Sequence, residues 1–282
     1  MRAKSEIFDL LLNTAKEDGR IRAVLLSGSR ANPAVPEDRY QDYDITFFVT
    51  CMENFFNKPE WVIEKFGKPL IMQMPEIMRY PDGGGHFNYM MIYPDGNRLD
   101  LTFDDKKYMD DGEPAVVLLD KDSPSEFFPV LPQQNDSVFH IKPPSPLDYY
   151  SACNEFWWCL NNVAKGIARD ELPYVMYMLN EIVRPELHNM LEWYIGINSG
   201  FSFSAGKNGK YFKKYLAPQL YDEYLATYPS ADYGEIWAAI FTMCALFRRL
   251  ALPVAESCGF VYNQGEEDGM MTYLRGIKDG RL

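Results

Sequence analysis

Three short stretches carry residue types that could do chemistry together: Leu25-Leu26-Ser27-Gly28-Ser29-Arg30, Gln41-Asp42-Tyr43-Asp44-Ile45 and Arg98-Leu99-Asp100-Leu101-Thr102-Phe103. Asp42 and Asp44 are two residues apart, and on a strand side chains at that spacing project to one side, so the two carboxylates converge. Mg²⁺ prefers oxygen ligands and is commonly held by one or two carboxylates plus substrate phosphates, which suits a metal–nucleotide complex. Gly28 lets the backbone approach a phosphate closely, while Ser29 offers a hydroxyl and an amide N–H to its oxygens. Singly, Gly-Ser is an ordinary turn and Asp-x-Asp an ordinary solvated strand end. Side by side, with apolar runs from Ile21 to Leu26 and from Ile45 to Val49, they describe a site for magnesium-dependent nucleotidyl transfer.

Asp100 extends the pattern. Residues 87–93 and 98–103, separated by Pro94-Asp95-Gly96-Asn97, read as a β-hairpin closed by an Asp-Gly turn. Along the second strand Leu99, Leu101 and Phe103 share one face, which leaves Arg98, Asp100 and Thr102 on the other. An acid flanked by leucines is costly to bury without a partner. A metal shared with Asp42 and Asp44 would be one, and the alternative is a strand acid facing solvent.

The elements that must hold these residues change character near residue 140. Before it, a helix from Ile7 to Ala15 ends near Gly19, and strands are expected near 21–26, 44–49, 69–74, 87–93 and 98–103. Lys142-Pro143-Pro144-Ser145-Pro146 cannot form regular structure. Beyond it Tyr149, Ala152, Phe156, Leu160, Val163 and Ile167 recur at helical steps. A second helix opens at Pro173, is interrupted or kinked at Pro185 and runs to about Ile197, with further helical patterns near 207–225, 234–251 and 267–277. The expected fold is therefore α+β: a catalytic domain over residues 1–140 with a mixed sheet and helices, a proline-rich linker over 141–147, and an all-helical bundle over 148–282.

A chain of 282 residues can hold two modest cores, and 47% apolar with 15% aromatic residues argues for a folded protein. The net charge of −12 disfavours nucleic acid as a partner and favours small cationic ligands and magnesium-bound nucleotide. No run of about 18 apolar residues stands out, so no membrane span is expected. The first residues lack a signal-type apolar core, which reads as a cytoplasmic protein. Five cysteines with no Cys-x-x-Cys pair read as reduced thiols, and with three scattered histidines they give a zinc site little support. A monomer suffices for chemistry in an interdomain cleft. Lys207, Lys210 and Lys214, with Lys213 beside them, would share a helix face and reach a triphosphate, or else form a solvated basic stripe.

Gly28-Ser29-Arg30, Gln41-Asp42-Tyr43-Asp44-Ile45 and Leu99-Asp100-Leu101-Thr102 resemble the signature of the aminoglycoside 6-adenylyltransferases, the streptomycin-modifying branch of the polymerase-β-like nucleotidyltransferases. The likeness continues through Val117–Asp122, Cys153-Asn154-Glu155-Phe156-Trp157, Lys165-Gly166, Asn180-Glu181-Ile182-Val183-Arg184, Gly206-Lys207-Asn208 and Ala245-Leu246-Phe247-Arg248, nearly the whole chain. The resemblance implies a polymerase-β-like catalytic domain in which Asp42 and Asp44 hold Mg²⁺ on ATP. It makes Asp100 a metal ligand or the acceptor of the attacking hydroxyl's proton, and seats the phosphates on Gly28 and Ser29. Arg30 would add charge there or anchor the sheet edge. AMP would pass to an aminoglycoside, conferring resistance. A polycationic acceptor calls for further acids, for which Glu155 and Glu181 are candidates, although either also suits a helix surface or a pairing with Arg184. Tyr177 and His86 stand where the family carries an aspartate and a tryptophan, which bears on the acceptor. Streptomycin is the first acceptor to consider. Another hydroxylated antibiotic, metabolite or protein side chain is the second, and a nucleotide-binding regulator without catalysis the third.

Overall fold

Period-two alternation builds the first half of the chain. In the computed structural model, which describes residues 2–81, 84–122 and 124–282, helix α1 (Lys4–Glu17) leads into strands β1 (Ile21–Ser27) and β2 (Tyr43–Val49). Helix α2 (Pro59–Phe66) and strands β3 (Ile71–Gln73), β4 (Phe87–Ile92), β5 (Arg98–Asp104) and β6 (Val116–Asp120) follow. The six strands form one mixed sheet in the order β3-β4-β5-β2-β1-β6. β2 and β5 run parallel and the other neighbours antiparallel. One face of the sheet carries Ile45, Phe47, Leu101 and Phe103 into a core completed by Leu11 of α1 and Phe66 of α2. Phe47 and Phe103 are fully inaccessible, and burying each contributes about 2 kcal/mol. The intervening residues Asp44, Thr46, Asp100 and Thr102 are half-buried on the opposite face.

The hairpin expected between residues 87 and 103 is present as β4 and β5. Gly96 takes φ +82°, and Asp95 Oδ1 accepts from the Asn97 amide at 3.0 Å, which sets the turn. Arg2 Nε reaches Asp95 Oδ2 at 2.7 Å and pins the start of the chain to the same turn. The strand expected over 69–74 shortens to β3, and β6 was not expected at all. Both lie at sheet edges, and β6 is half-exposed along most of its length, so neither shows a strong alternation.

The chain forms two compact units, Met1–Val138 and Phe139–Leu282. The second is helical: α3 (Pro146–Ala168), α4 (Leu172–Tyr177), α5 (Arg184–Ser199), α6 (Phe212–Tyr215), α7 (Pro218–Leu225), α8 (Tyr233–Cys258) and α9 (Gln264–Lys278). Ser145 and Asp148 close a capping box at the start of α3, with Pro146 in its first turn. Near Pro185 the helix is interrupted, as expected: residues Met178–Val183 form a π turn between α4 and α5. Proline lacks the N–H that the carbonyl four residues earlier would accept, and the wider turn absorbs that loss.

The single helical pattern expected over 207–225 is broken in three. Gly206, Asn208 and Gly209 all have positive φ, Lys207–Gly209 is a 3₁₀ turn, and Pro218 opens α7. Lys207, Lys210, Lys213 and Lys214 therefore do not lie on one helix face. α8 runs through Pro253 and beyond the expected end at 251, because its Val254 and Ala255 are buried with the rest of its apolar side. By length and composition α8 could cross a membrane, contrary to the expectation from the sequence. Its Ile236, Ile240, Met243, Phe247 and Leu250 nonetheless belong to the core of the helical unit. All five cysteines are free thiols.

Candidate active site

Asp44 and Asp100 are register partners across the parallel pair β2–β5, and Ser27 is the partner of Asp44 on β1. The three central strands thus bring the Gly-Ser turn and two acids to one place. The chain leaves β1 through a 3₁₀ turn, Gly28–Arg30, with Gly28 at φ +68°. A Cβ on Gly28 would lie 2.0 Å from Asp44 Oδ2, so only glycine fits both the backbone angle and the space the carboxylate takes. Asp42 stands just before β2 begins, not on the strand.

Two arginines hold this arrangement. Arg98 shares the polar face of β5 with Asp100, to which it donates from Nε at 2.9 Å and Nη2 at 2.6 Å. Its Nη1 lies 3.4 Å from Asp42 Oδ2. Arg30 donates to the carbonyl oxygens of Gln41 and Asp42 at 2.7 and 3.0 Å and lies 3.9 Å above the Tyr43 ring. Gln41 Nε2 in turn donates to the Ser29 carbonyl at 3.1 Å. The Arg30 guanidinium thus fastens the segment before β2 and, with Gln41, ties it to the Gly-Ser turn.

Burial pushes the Asp44 carboxyl up to about 6, and the charges of Asp100 and Asp42 push the same way against Arg98 and Arg30. Asp42 is raised as well, first by burial, with Arg98 opposing. Acids held in this state gain from a cation. Among the described residues no three acid, histidine or cysteine side chains form a ready-made metal cage. The donor set nevertheless fits Mg²⁺, which takes one or two carboxylates and completes its shell with phosphates and water. The guanidinium between Asp42 and Asp100 marks a place where these acids take a cationic partner, and the missing Cβ of Gly28 leaves the Asp44 carboxylate its room.

The polar face continues away from Asp100. Thr102 Oγ1 donates to Asn88 Oδ1 at 2.5 Å, and the Asn88 amide and Nδ2 donate to Glu76 at 3.0 and 2.5 Å. His86 Nε2 lies 3.7 Å from Glu76 Oε1, and the Glu76 side chain is only 6% exposed. Sequence reasoning placed His86 near the acceptor but missed Glu76, whose partners come from a strand twelve residues on. Arg98 was placed on the right face without a role, although its spacing from Asp100 was the available signal.

The remaining candidates lie in the helical unit. Glu155 accepts from the Cys159 thiol at 3.2 Å and lines an open cleft of about 650 Å³ with Asp148, Glu186, Asn189 and Trp193. Burial raises the Glu186 carboxyl, and the nearby Glu155 adds to it. Glu181 and Tyr177 are exposed on the π turn and at the end of α4. Glu181 makes no salt bridge with Arg184 among the described residues. The Arg184 guanidinium is instead buried against Asn180, Thr227 and the Tyr228 ring. Lys207 sits in its 3₁₀ turn, while Lys210 and Lys214 lie 5.0 and 6.0 Å from the Tyr211 ring centre.

The chain is similar to known proteins along nearly its whole length. Residues 1–277 match the family model for streptomycin adenylyltransferase. The chain is 41% identical to an aminoglycoside 6-adenylyltransferase of Bacillus subtilis (strain 168), over 98% of each protein. It is 38% identical to one of Campylobacter jejuni over 93% of this chain and 91% of that protein. For one of Staphylococcus aureus the identity is 36%, over 93% and 94%. A crystal structure of an aminoglycoside 6-adenyltransferase from Bacillus subtilis aligns over 99% of both chains at 36% identity, with a TM-score of 0.48. The near-complete match along the chain, joined to paired acids beside a glycine turn, places this nucleotidyltransferase in the streptomycin adenylyltransferase family.

Proposed function

We propose that this protein transfers AMP from ATP to a hydroxyl of an aminoglycoside in a magnesium-dependent reaction, with the 6-position of streptomycin as the first acceptor. The observation that carries this reading is the cross-strand register of Asp44 and Asp100 beside the Gly28 cradle. The acceptor hydroxyl oxygen attacks the α-phosphorus, the bond to the β-phosphate oxygen breaks, and pyrophosphate leaves. Asp100 would take the hydroxyl proton or complete the metal set, and Gly28 and Ser29 would seat the phosphates. Asp42 and Asp44 would hold Mg²⁺, which when bound neutralises phosphate charge and eases departure of pyrophosphate. Arg30 acts by holding the Gly28–Asp42 segment in place. Lys207 and Lys210 are assigned to the nucleotide. Glu155, Glu181, Tyr177 and His86 are assigned to the acceptor, where charge-assisted hydrogen bonds to ammonium or guanidinium groups would be strongest. We place the reaction in the cytoplasm, carried out by a monomer that needs neither nucleic acid nor membrane.

Purified protein with Mg²⁺, ATP and streptomycin tests the reading: pyrophosphate should be released well above background. No release with streptomycin but release with another hydroxylated acceptor would favour a different substrate, a reading motivated by Tyr177 and His86. No release with any acceptor, together with retained nucleotide binding, would favour a regulatory protein.

A further inference from the structure

The Arg98 guanidinium sits where a cation for these acids has to go. Both oxygens of Asp100 are engaged by its fork, and its third nitrogen faces Asp42 at 3.4 Å. An ionised carboxylate whose oxygens both accept from one guanidinium must release at least one of them to bind a metal closely. A guanidinium in contact with the acids also repels an incoming divalent ion. Arg98 is anchored on the same strand two residues from Asp100, and its side chain is 39% exposed. Rotation about its flexible stem can therefore lift it off the acids without disturbing the core. The phosphates of a nucleotide offer the planar fork an equally good partner once it is displaced.

We propose that Arg98 is a built-in placeholder cation: it holds Asp42 and Asp100 when no metal is bound, disfavours free metal, and yields to metal arriving as a nucleotide complex. The proposal rests on the magnesium reading above. It makes Arg98 a positioning residue whose removal strengthens the binding of free metal without strengthening that of the metal–nucleotide complex, a split that a purely structural role would not produce.

The test is Mn²⁺ binding, followed by electron paramagnetic resonance, for the wild type, Arg98→Gln and Arg98→Lys, with and without α,β-methylene-ATP. Arg98→Gln should bind free Mn²⁺ about fivefold or more tightly, show no such gain for the Mn²⁺–analogue complex, and melt at a lower temperature in EDTA. Arg98→Lys, which keeps the charge without the fork, should fall between. If Arg98→Gln does not fold, the Arg98 Nε–H resonance of the wild type, assigned through Arg98→Lys, serves instead. It should exchange slowly in EDTA and rapidly once the Mg²⁺–analogue complex is bound. A wild type that binds no Mn²⁺–analogue would overturn the magnesium reading and this inference together. Normal binding of that complex, with either no gain for free Mn²⁺ in Arg98→Gln or an unchanged Nε–H resonance, would overturn the inference alone.

Discussion

Arg98 and Arg184 both stand near acids in the sequence, yet the two units use them in opposite ways. Arg98 is partly exposed and forks onto Asp100, which holds its guanidinium above the usual range. Arg184 is 4% exposed, and burial pulls it down. Its partners are neutral: Asn180 Oδ1 at 3.1 Å, the Thr227 hydroxyl and carbonyl at 2.7 and 2.8 Å, and the Tyr228 ring 3.5 Å away. A buried cation satisfied by neutral groups behaves as a structural pin, because removing it leaves polar atoms unpaired in the interior. A cation shared among acids at a solvent edge adds little to stability and leaves the acids able to change partners.

The sharpest way to break this contrast is Asp44→Asn or Asp100→Asn. Either should lower turnover by about a thousandfold or more. In Asp44→Asn relief of like-charge repulsion leaves the melting temperature unchanged or slightly raised, whereas Asp100→Asn also loses its charge-assisted fork with Arg98 and should melt slightly lower. Pyrophosphate release and a thermal melt check both halves, and unchanged turnover in either variant would remove the catalytic assignment.

Gly28→Ala should cost activity by roughly a hundredfold, because its Cβ would displace the Asp44 carboxylate. It should also destabilise the fold by about 1–3 kcal/mol through the positive φ. Steady-state rates and denaturant melts would show it.

Arg184→Ala should invert the pattern, costing about 3 kcal/mol of stability with little change in the kcat of the folded fraction. A loss of kcat without a loss of stability would mean that the helical pin also serves chemistry.

The acids themselves predict a pH effect. A folded-state carboxyl raised to about 6 from an ordinary value near 3.8 binds more protons folded than unfolded between those limits. Asp44 thus contributes stability at low pH that is lost as pH rises from about 4 to about 6 in metal-free protein. Metal binding should strengthen over the same window, and Asp44→Asn should flatten both trends. The smallest expected effect is at the helical cleft, where Glu155→Gln should raise the KM for an aminoglycoside only a few-fold and leave kcat alone.

Much of the sheet was readable because alternation and an Asp-Gly turn are local signals. The half-buried face carrying Asp44 and Asp100 and the hairpin that delivers Asp100 both appear where the alternation puts them. The edge strands were harder, since β6 shows no clean alternation. The stretch over 207–225 misled because its lysine spacing mimics a helix, while glycines and a proline decide the backbone. Glu76 gave no local sign, and its burial depends on Asn88 and Thr102, which only strand pairing brings to it.

Residue type and spacing alone determined the α+β organisation and the acidic pair with its glycine turn, while the nucleotidyltransferase family was reached through the resemblance of the ordered motifs along the chain. Those features are written in short windows whose geometry the backbone dictates. The tertiary structure decided that Asp44 faces Asp100 across a parallel pair, that Arg98 bridges the acids and that Arg30 fastens a loop. It also buried Arg184 among neutral partners. Each of these depends on which distant segments become neighbours, and that is settled by packing of the core and not by any run of residues.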